Sequence, residues 1–466
     1  MSIKLSVYCP VLLKFHCFKG IDRQTQAPID SLPTEIVCKI LTTAIETTLP
    51  RGDAHRIRKP ELAAVCRRWR DIIVNTPLLW TYIEISPKWL IMSLLKAHVK
   101  RSRECPLVIV CHHLSQKARL GTYHDEILAL DFVFATVHRW RSLTLIGYSI
   151  GGAHLTSKFS CTVFPLLTHL SIQHDLMCRP ILHPEHVPAL KYLETSMSAF
   201  IPNAPCPPAL EELTIDSFCP WPSRSLELLS LQGLKALSFC GHTGEERIQP
   251  DIVHLPLLTR LSLNVSHAKQ LLRILSAPSL TRIIYQQKDS ETLFTAFNGI
   301  PSKWANVHEL GLRLVEWGFS NRHQREDYCV GLTALCLAAP EVRSIEVMAE
   351  DLDQLLACQQ GVYPIEHWVH LEQFTVIGRV HWLNEKWFHY IVRWLKKRRA
   401  MRKPVLKVSF LMNGDKAELN RIVLDDIGQY CDGVDLHIME GENYMYRCEK
   451  ERKLRWCGND YYDYIL

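Results

Sequence analysis

Leu143 to Gly152 reads LTLIGYSIGG, which contains G-x-S-x-G centred on Ser149. After a strand, that pattern is the nucleophile elbow of a serine hydrolase: a tight turn exposes the hydroxyl, and a histidine elsewhere takes its proton. The chain holds 22 histidines, so partners for such a serine abound. Three features argue against acyl-transfer chemistry here. No HGGG-like segment precedes the motif to bind an oxyanion. The following AHLTSKFSCTVFPLL makes a poor long buried helix. The preceding strand already fits a repeat described below. A hydrolase using Ser149 is kept only as the remote alternative.

Other reactive side chains are weaker candidates still. Cys105, Cys111, His112 and His113 cluster, but their spacing matches no familiar zinc pattern. His183 and His186 flank Pro184, so they do not share a helical face. No phosphate-binding loop or paired carboxylates stand out, and no metal or cofactor is expected. Lys396-Lys397-Arg398-Arg399, followed by Arg402 and Lys403, has the composition of a nuclear import signal or an anion-binding patch. The plainer reading, a solvated helix C-terminus where cations are favourable, is preferred.

Length, 466 residues, suggests about three domains. Hydrophobic content of 47% and charge of 22% describe an ordinary folded chain that can bury a large core. A formal net charge of +6 is small for this size and does not demand nucleic acid. No apolar run reaches the ~18 residues that a membrane helix needs. Residues 1–28 superficially resemble a signal peptide. Lys14, His16 and Lys19 interrupt them and no small-residue cleavage site follows, so a poorly ordered or capping segment is expected. The 17 cysteines are scattered without a Cys-x-x-Cys pair, which argues for reduced thiols and a cytoplasmic or nuclear location.

Residues 31 to 80 carry a different kind of signal. They begin SLPTEIVCKIL and end LAAVCRRWRDIIVNTPLLW. Leu32-Pro33 with Glu35 opens a helix, with proline tolerated at its start and an acid suited to its dipole. Ile36, Ile40 and Leu41 fall on one face. A polar, basic connection runs from Pro50 to Pro60. A second helix then places Leu62, Val65, Trp69 and Ile72 or Ile73 on one side, with Arg67, Arg68, Arg70 and Asp71 facing away. Pro77 stops it, and Leu78, Leu79 and Trp80 continue the apolar surface. This order of submotifs resembles the F-box family. The resemblance implies a helical module, residues 29–85, that docks on the small adaptor subunit of a cullin-RING ubiquitin ligase. Leu32, Pro33, Ile36, Val65, Trp69 and Leu79 would form that surface, some of them instead holding the module's own core. The connection between Leu41 and Leu62 looks longer than in the shortest members, as in many fungal F-box proteins.

The chain after residue 136 repeats itself. A unit of the form L-x-x-L-x-L recurs, usually just after a proline: Trp140-Leu143-Leu145, Leu167-Leu170-Ile172, Leu210-Leu213-Ile215, Leu234-Leu237-Phe239 and Leu258-Leu261-Leu263 are clear copies. Ten first positions, from Trp140 to Leu371, are separated by 27, 23, 20, 24, 24, 22, 27, 35 and 29 residues. Most of these intervals fit the ~20–29 residue period of leucine-rich repeats. One such strand cannot bury its face alone, but stacked neighbours form a continuous parallel sheet. The expected fold is therefore α/β: a short all-helical F-box, then an irregular leucine-rich-repeat solenoid over residues 137–440. Residues 86–136 read as a helix, a strand and a helix, a candidate degenerate first repeat. Glu385 to Arg399 reads as a strong helix, and residues 441–466 as a cap or tail.

In such a stack, the residue between the last two apolar positions points away from the core. That row includes Thr144, Ser171, Thr214, Ser238, Ser262 and Thr375, whose hydroxyls both donate and accept hydrogen bonds. A broad, weakly charged groove for a protein target fits them; they equally suit a solvated strand face. The expected function is a non-catalytic substrate receptor of an SCF-type ubiquitin ligase, with the adaptor and, through it, a cullin as partners. Neither a membrane nor nucleic acid is expected as a partner. The alternative is a leucine-rich scaffold with no ligase role.

Overall fold

The computed structural model describes residues 31–46, 52–86, 90–112, 120–146, 157–159, 161–173, 183–196, 207–217, 231–242, 252–266, 268–286, 296–300, 303–313, 322–356, 363–379, 385–413 and 426–439. The chain divides into two units, Met1–Leu79 and Trp80–Leu466.

Among the described residues, three helices build the first unit: α1 (Thr34–Glu46), α2 (Gly52–Val65) and α3 (Arg67–Asn75). Pro33 precedes α1, and its carbonyl accepts the amides of Ile36 and Val37, both at 3.1 Å. The buried face of α1 is Val37 and Leu41, one turn apart; Ile36 is exposed and Ile40 half-buried. The apolar stripe is thus rotated by one residue from the Ile36–Ile40 face that spacing predicts. The polar connection expected before Pro60 is instead helical from Gly52, with Pro60 inside α2. That stretch has no apolar periodicity to announce a helix, and its interior proline argues against one.

The second apolar run is two helices, not one. Cys66 lies between them with extended φ −156° and ψ 170°, and its Sγ accepts the Trp69 amide at 3.4 Å, capping α3. The break changes the helical phase. Leu62, Trp69, Ile72 and Ile73 are buried together, while Val65 turns outward. Arg68 donates to the Leu32 carbonyl, and Arg70 Nε donates to the Ala63 carbonyl at 3.2 Å, tying α3 to the start of α1 and the end of α2. α3 ends at Thr76, held in an extended conformation (φ −93°, ψ 103°) as a following proline requires.

Among the described residues, the second unit is organised by a fourteen-stranded sheet in which every pairing is parallel. Numbering strands along the chain, β1 is Tyr82–Ile85, β2 Leu107–His112, β3 Trp140–Ile146, β4 His169–Gln173, β5 Tyr192–Ser196, β6 Glu212–Ser217, β7 Ala236–His242 and β9 Arg260–Ser266. β11 is Arg282–Gln286, β12 Glu309–Arg313, β13 Ser344–Met348, β14 Gln373–Arg379, β15 Lys407–Asn413 and β16 Val434–Met439. They neighbour one another in chain order; only β8 (Val253–His254) and β10 (Leu275–Ser276) leave the series, pairing with each other.

Register follows the repeat. Leu143, Leu170, Leu193, Leu213, Leu237, Leu261, Ile283, Leu310, Ile345, Phe374 and Val408 align strand to strand, and all are buried. The residues two further on form a second buried row, from Leu145 to Phe410. Between the rows burial alternates, as in β11 and β13, where each buried residue lies between half-buried ones. Parallel sheets are usually covered on both faces and read as continuous apolar runs; here only one face carries the core. Just before most strands of the series one carbonyl accepts two amides, as Thr168 does from Lys191 at 3.0 Å and Tyr192 at 2.9 Å. The same bifurcation recurs at Glu211, Thr281 and Arg343, so it is a property of the repeat.

Returning segments differ widely. α4 (Met92–Arg101), α5 (Leu120–Phe134), α6 (Ala268–Ile274), α7 (Arg322–Ala338), α8 (Leu352–Leu355) and α9 (Glu385–Ala400) are helical. Tryptophans anchor several of them through their indole N–H groups: Trp140 to Thr136 Oγ1 at 3.1 Å, and Trp368 to the Ala339 carbonyl at 2.8 Å. No helix among the described residues is long and apolar enough to cross a membrane.

Candidate functional site

On the first unit, the residues expected to dock a partner divide into two sets. Ile36 (45% exposed), Val65 (51%) and Leu78 (66%) are open apolar side chains, and Pro33 is exposed beside them in sequence. Trp69 and Leu79 are buried in the module, and Leu32 is half-buried with its carbonyl taken by Arg68. Leu78 was not singled out from spacing, because a run of adjacent leucines gives no clue to which one turns outward.

On the second unit, Thr144, Ser171, Glu194, Thr214, Ser238, Ser262, Ile284, Gly311, Glu346 and Thr375 form one continuous row across the sheet, on the face away from the core. Thr144, Ser171 and Ser262 are partly open, whereas Thr214, Ser238 and Thr375 are buried despite facing outward. Gln373 Nε2 donates to Thr375 Oγ1 at 3.3 Å. Ser171 donates to Glu194 Oε2 at 2.6 Å. Tyr192 hydrogen-bonds Thr214, and its phenol is pushed up to about 12, first by burial and then by the Glu194 carboxylate.

A second outward row lies two residues earlier on each strand, and it carries the charge. It includes Tyr192, Glu212, Ala236, Arg260, Arg282 and Glu309. Arg260 reaches over Ala236 to Glu212, 2.7 Å away and two strands distant. Arg282 lies 3.6 Å from both Glu309 and Glu346, and Arg313 bonds Glu346. A recess of about 590 Å3, counting the space open to solvent, lies where these rows cross β6, β7, β9 and β11. Sequence reasoning missed this second row; the strand period of two is the signal that would have found it, since it shares the face of the hydroxyl row.

The other candidate chemistries find little support. Ser149 and His113 lie outside the described residues. Burial pushes the Cys111 thiol up to about 12, so it is not a ready nucleophile or metal ligand near neutrality. His112 Nε2 lies 3.0 Å from Glu84 on the neighbouring strand. The His183 and His186 rings are 5.6 Å apart, and no group of three metal-ligating side chains occurs among the described residues. The basic run at the end of α9 is largely engaged internally. Arg398 pairs with Glu366 at 3.2 Å and Lys403 with the same carboxylate at 3.0 Å. Arg399 donates to the Gln429 carbonyl, and Lys397 and Lys396 lie over the Tyr363 and Tyr430 rings.

Compared with known families, residues 29–86 match the F-box-like family. The match takes in α1, α2 and α3 and ends one residue past β1. F-box domains generally bind the small adaptor subunit that links them to a cullin. No curated protein matches the chain.

Proposed function

We propose that this chain is a non-catalytic substrate receptor of an SCF-type cullin-RING ubiquitin ligase. Its F-box-like module would dock the adaptor, and an irregular leucine-rich-repeat solenoid would hold a target protein. The F-box-like match at residues 29–86 carries the reading. It is supported by exposed Ile36, Val65 and Leu78, which a protein gains by covering. Burying apolar side chains of this size contributes ~1.5–3 kcal/mol each, so a few suffice for specific docking. Strands that follow chain order, with repeat leucines in register and a core on one face, support the solenoid. Ubiquitin transfer would be accelerated by proximity, raising the effective concentration of target lysines near a charged conjugating enzyme. The chain would act in the cytoplasm or nucleus, where such ligases work.

The test is co-purification of adaptor and cullin with the full chain, in parallel with Ile36→Asp/Val65→Asp. The wild type should retain both partners and the variant should lose both. Failure of the wild type to bring down an adaptor would sink the ligase role and leave a leucine-rich scaffold.

A further inference from the structure

We infer that the recess across β6, β7, β9 and β11 binds an extended segment of the target protein, seating one Asp or Glu side chain between Arg260 and Arg282 and one apolar side chain on Ile284. This rests on the recognition role proposed above and names the chemistry it reads.

The argument starts from a cost. Arg260 and Arg282 are direct register partners on adjacent strands. Like charges placed directly opposite destabilise a sheet. Their counter-charges lie on opposite sides. Glu212 draws Arg260 toward β6, across the small side chain of Ala236. Glu309 and Glu346 lie on the β12 and β13 side of Arg282, at 3.6 Å, beyond hydrogen-bond reach. The Arg282 guanidinium therefore forms ion pairs at 3.6 Å but no side-chain hydrogen bond to a described residue, although it offers five donors. The two arginines flank the recess, each paired with carboxylates on its far side, so a carboxylate entering between them would face two guanidinium groups.

The floor defines the rest of the ligand. Thr214, Ser238 and Ser262 line it with hydroxyls, and Ile284 is the large apolar residue among its outward-row lining, beside the small Ala236. Ile284 leans toward Gly311: a Cβ at that glycine would lie 3.3 Å from Ile284 Cγ1. The lack of a side chain at 311 thus leaves room for the Ile284 side chain on that side. Ile284 follows Arg282 by two residues on β11, a separation of ~6.6 Å on one face. An extended segment running along the strands repeats that spacing in its own side chains. Acid and apolar residues two apart are the pattern that fits.

A carboxylate suits the site better than a phosphoryl group. Glu212, Glu309 and Glu346 share this face, and a dianion would meet their repulsion over the same few ångströms. A cationic segment is disfavoured because these carboxylates are already directed at arginines.

The experiment uses the purified full chain and oriented pools of short synthetic peptides. Each pool fixes Asp, Asn, Lys or phosphoserine, with Leu two positions away on either side and mixed residues elsewhere. Wild type should prefer the Asp pools over the Asn pools by about ten-fold, the scale of one charged hydrogen bond. The preference should shrink as salt rises. Arg282→Gln should abolish the preference, Ser262→Leu should weaken binding to every pool by filling the recess, and Arg343→Gln, a charge change away from the recess, should alter neither. Equal binding of Asp and Asn pools, a preference for phosphoserine or Lys over Asp, retention of the preference by Arg282→Gln, or its loss in Arg343→Gln overturns the inference. Adaptor co-purification is measured on the same variants and should be unchanged. Failure of peptide selection thus leaves the ligase reading standing, and failure of adaptor binding leaves the peptide result standing.

Discussion

Replacing Glu366 with alanine should destabilise the second unit by about 4 kcal/mol. Glu366 sits in the turn Pro364–His367 and accepts from three groups: Arg398 Nη1 at 3.2 Å, Lys403 Nζ at 3.0 Å and the Trp394 indole N–H at 2.5 Å. The Arg398 side chain is only 3% exposed. Truncating its partner leaves a buried charge uncompensated, which costs ~3–5 kcal/mol. The orphaned indole adds about 1 kcal/mol. Lys403 is nearer solvent and can turn to water, so its loss adds little. Arg398 keeps the Leu371 and Pro404 carbonyls, at 2.9 and 3.1 Å, which holds the total near the middle of that range. The double variant Glu366→Leu/Arg398→Met removes both charges and should be markedly less destabilised than the sum of the two single changes. Urea unfolding of the full chain, followed by far-ultraviolet circular dichroism, measures Glu366→Ala, the double variant and its two single components, Glu366→Leu and Arg398→Met. A loss below about 1 kcal/mol for Glu366→Ala, or strict additivity in the double variant, would refute the reasoning that this pair is a buried, mutually dependent unit.

Three further outcomes follow from single positions. Arg402 closes α9 with a left-handed φ of 57°, where a side chain is strained; Arg402→Gly should raise the urea midpoint by about 1 kcal/mol equivalent, and an unchanged or lowered midpoint counts against it. Cys66 caps α3 through sulfur, a weak acceptor, so Cys66→Ser should slow amide exchange at Trp69 while Cys66→Ala speeds it. Tyr192 is protonated up to about 12 in the folded chain against an ordinary value of 10, so its contribution is complete below pH 10 and is lost as pH rises toward 12. Wild type should therefore lose stability across that window more steeply than Tyr192→Phe, as read from urea midpoints at either end; parallel curves would disprove the assignment.

The basic run at Lys396 to Lys403 shows how far sequence can mislead about a charge cluster. Six cations in eight residues have the composition of an address label, yet Arg398 and Lys403 converge on one buried carboxylate from another segment. Composition could not reveal that partner, because Glu366 lies more than thirty residues away and only folding brings it near. The outward hydroxyl row has the same lesson. Its membership followed from the two-residue period of strands, but the burial of Thr214, Ser238 and Thr375 is set by the folded neighbours and not by that period.

What the sequence alone determined was local and periodic. Apolar residues at L-x-x-L-x-L spacing, punctuated by prolines, specify short strands, and the need to keep each leucine buried specifies the register that aligns Leu143 through Val408. The ordered submotifs between Leu32 and Trp80 likewise marked a helical module. Tertiary structure decided everything that depends on which distant groups meet. The extended Cys66 split one apolar run into two helices and turned Val65 outward. Parallel pairing set Arg260 against Arg282 and carried Glu212 across Ala236 to meet one of them. Periodicity is written in neighbouring residues, whereas a charge pair between strands is an event in space, and its energy depends on burial that no stretch of chain encodes by itself.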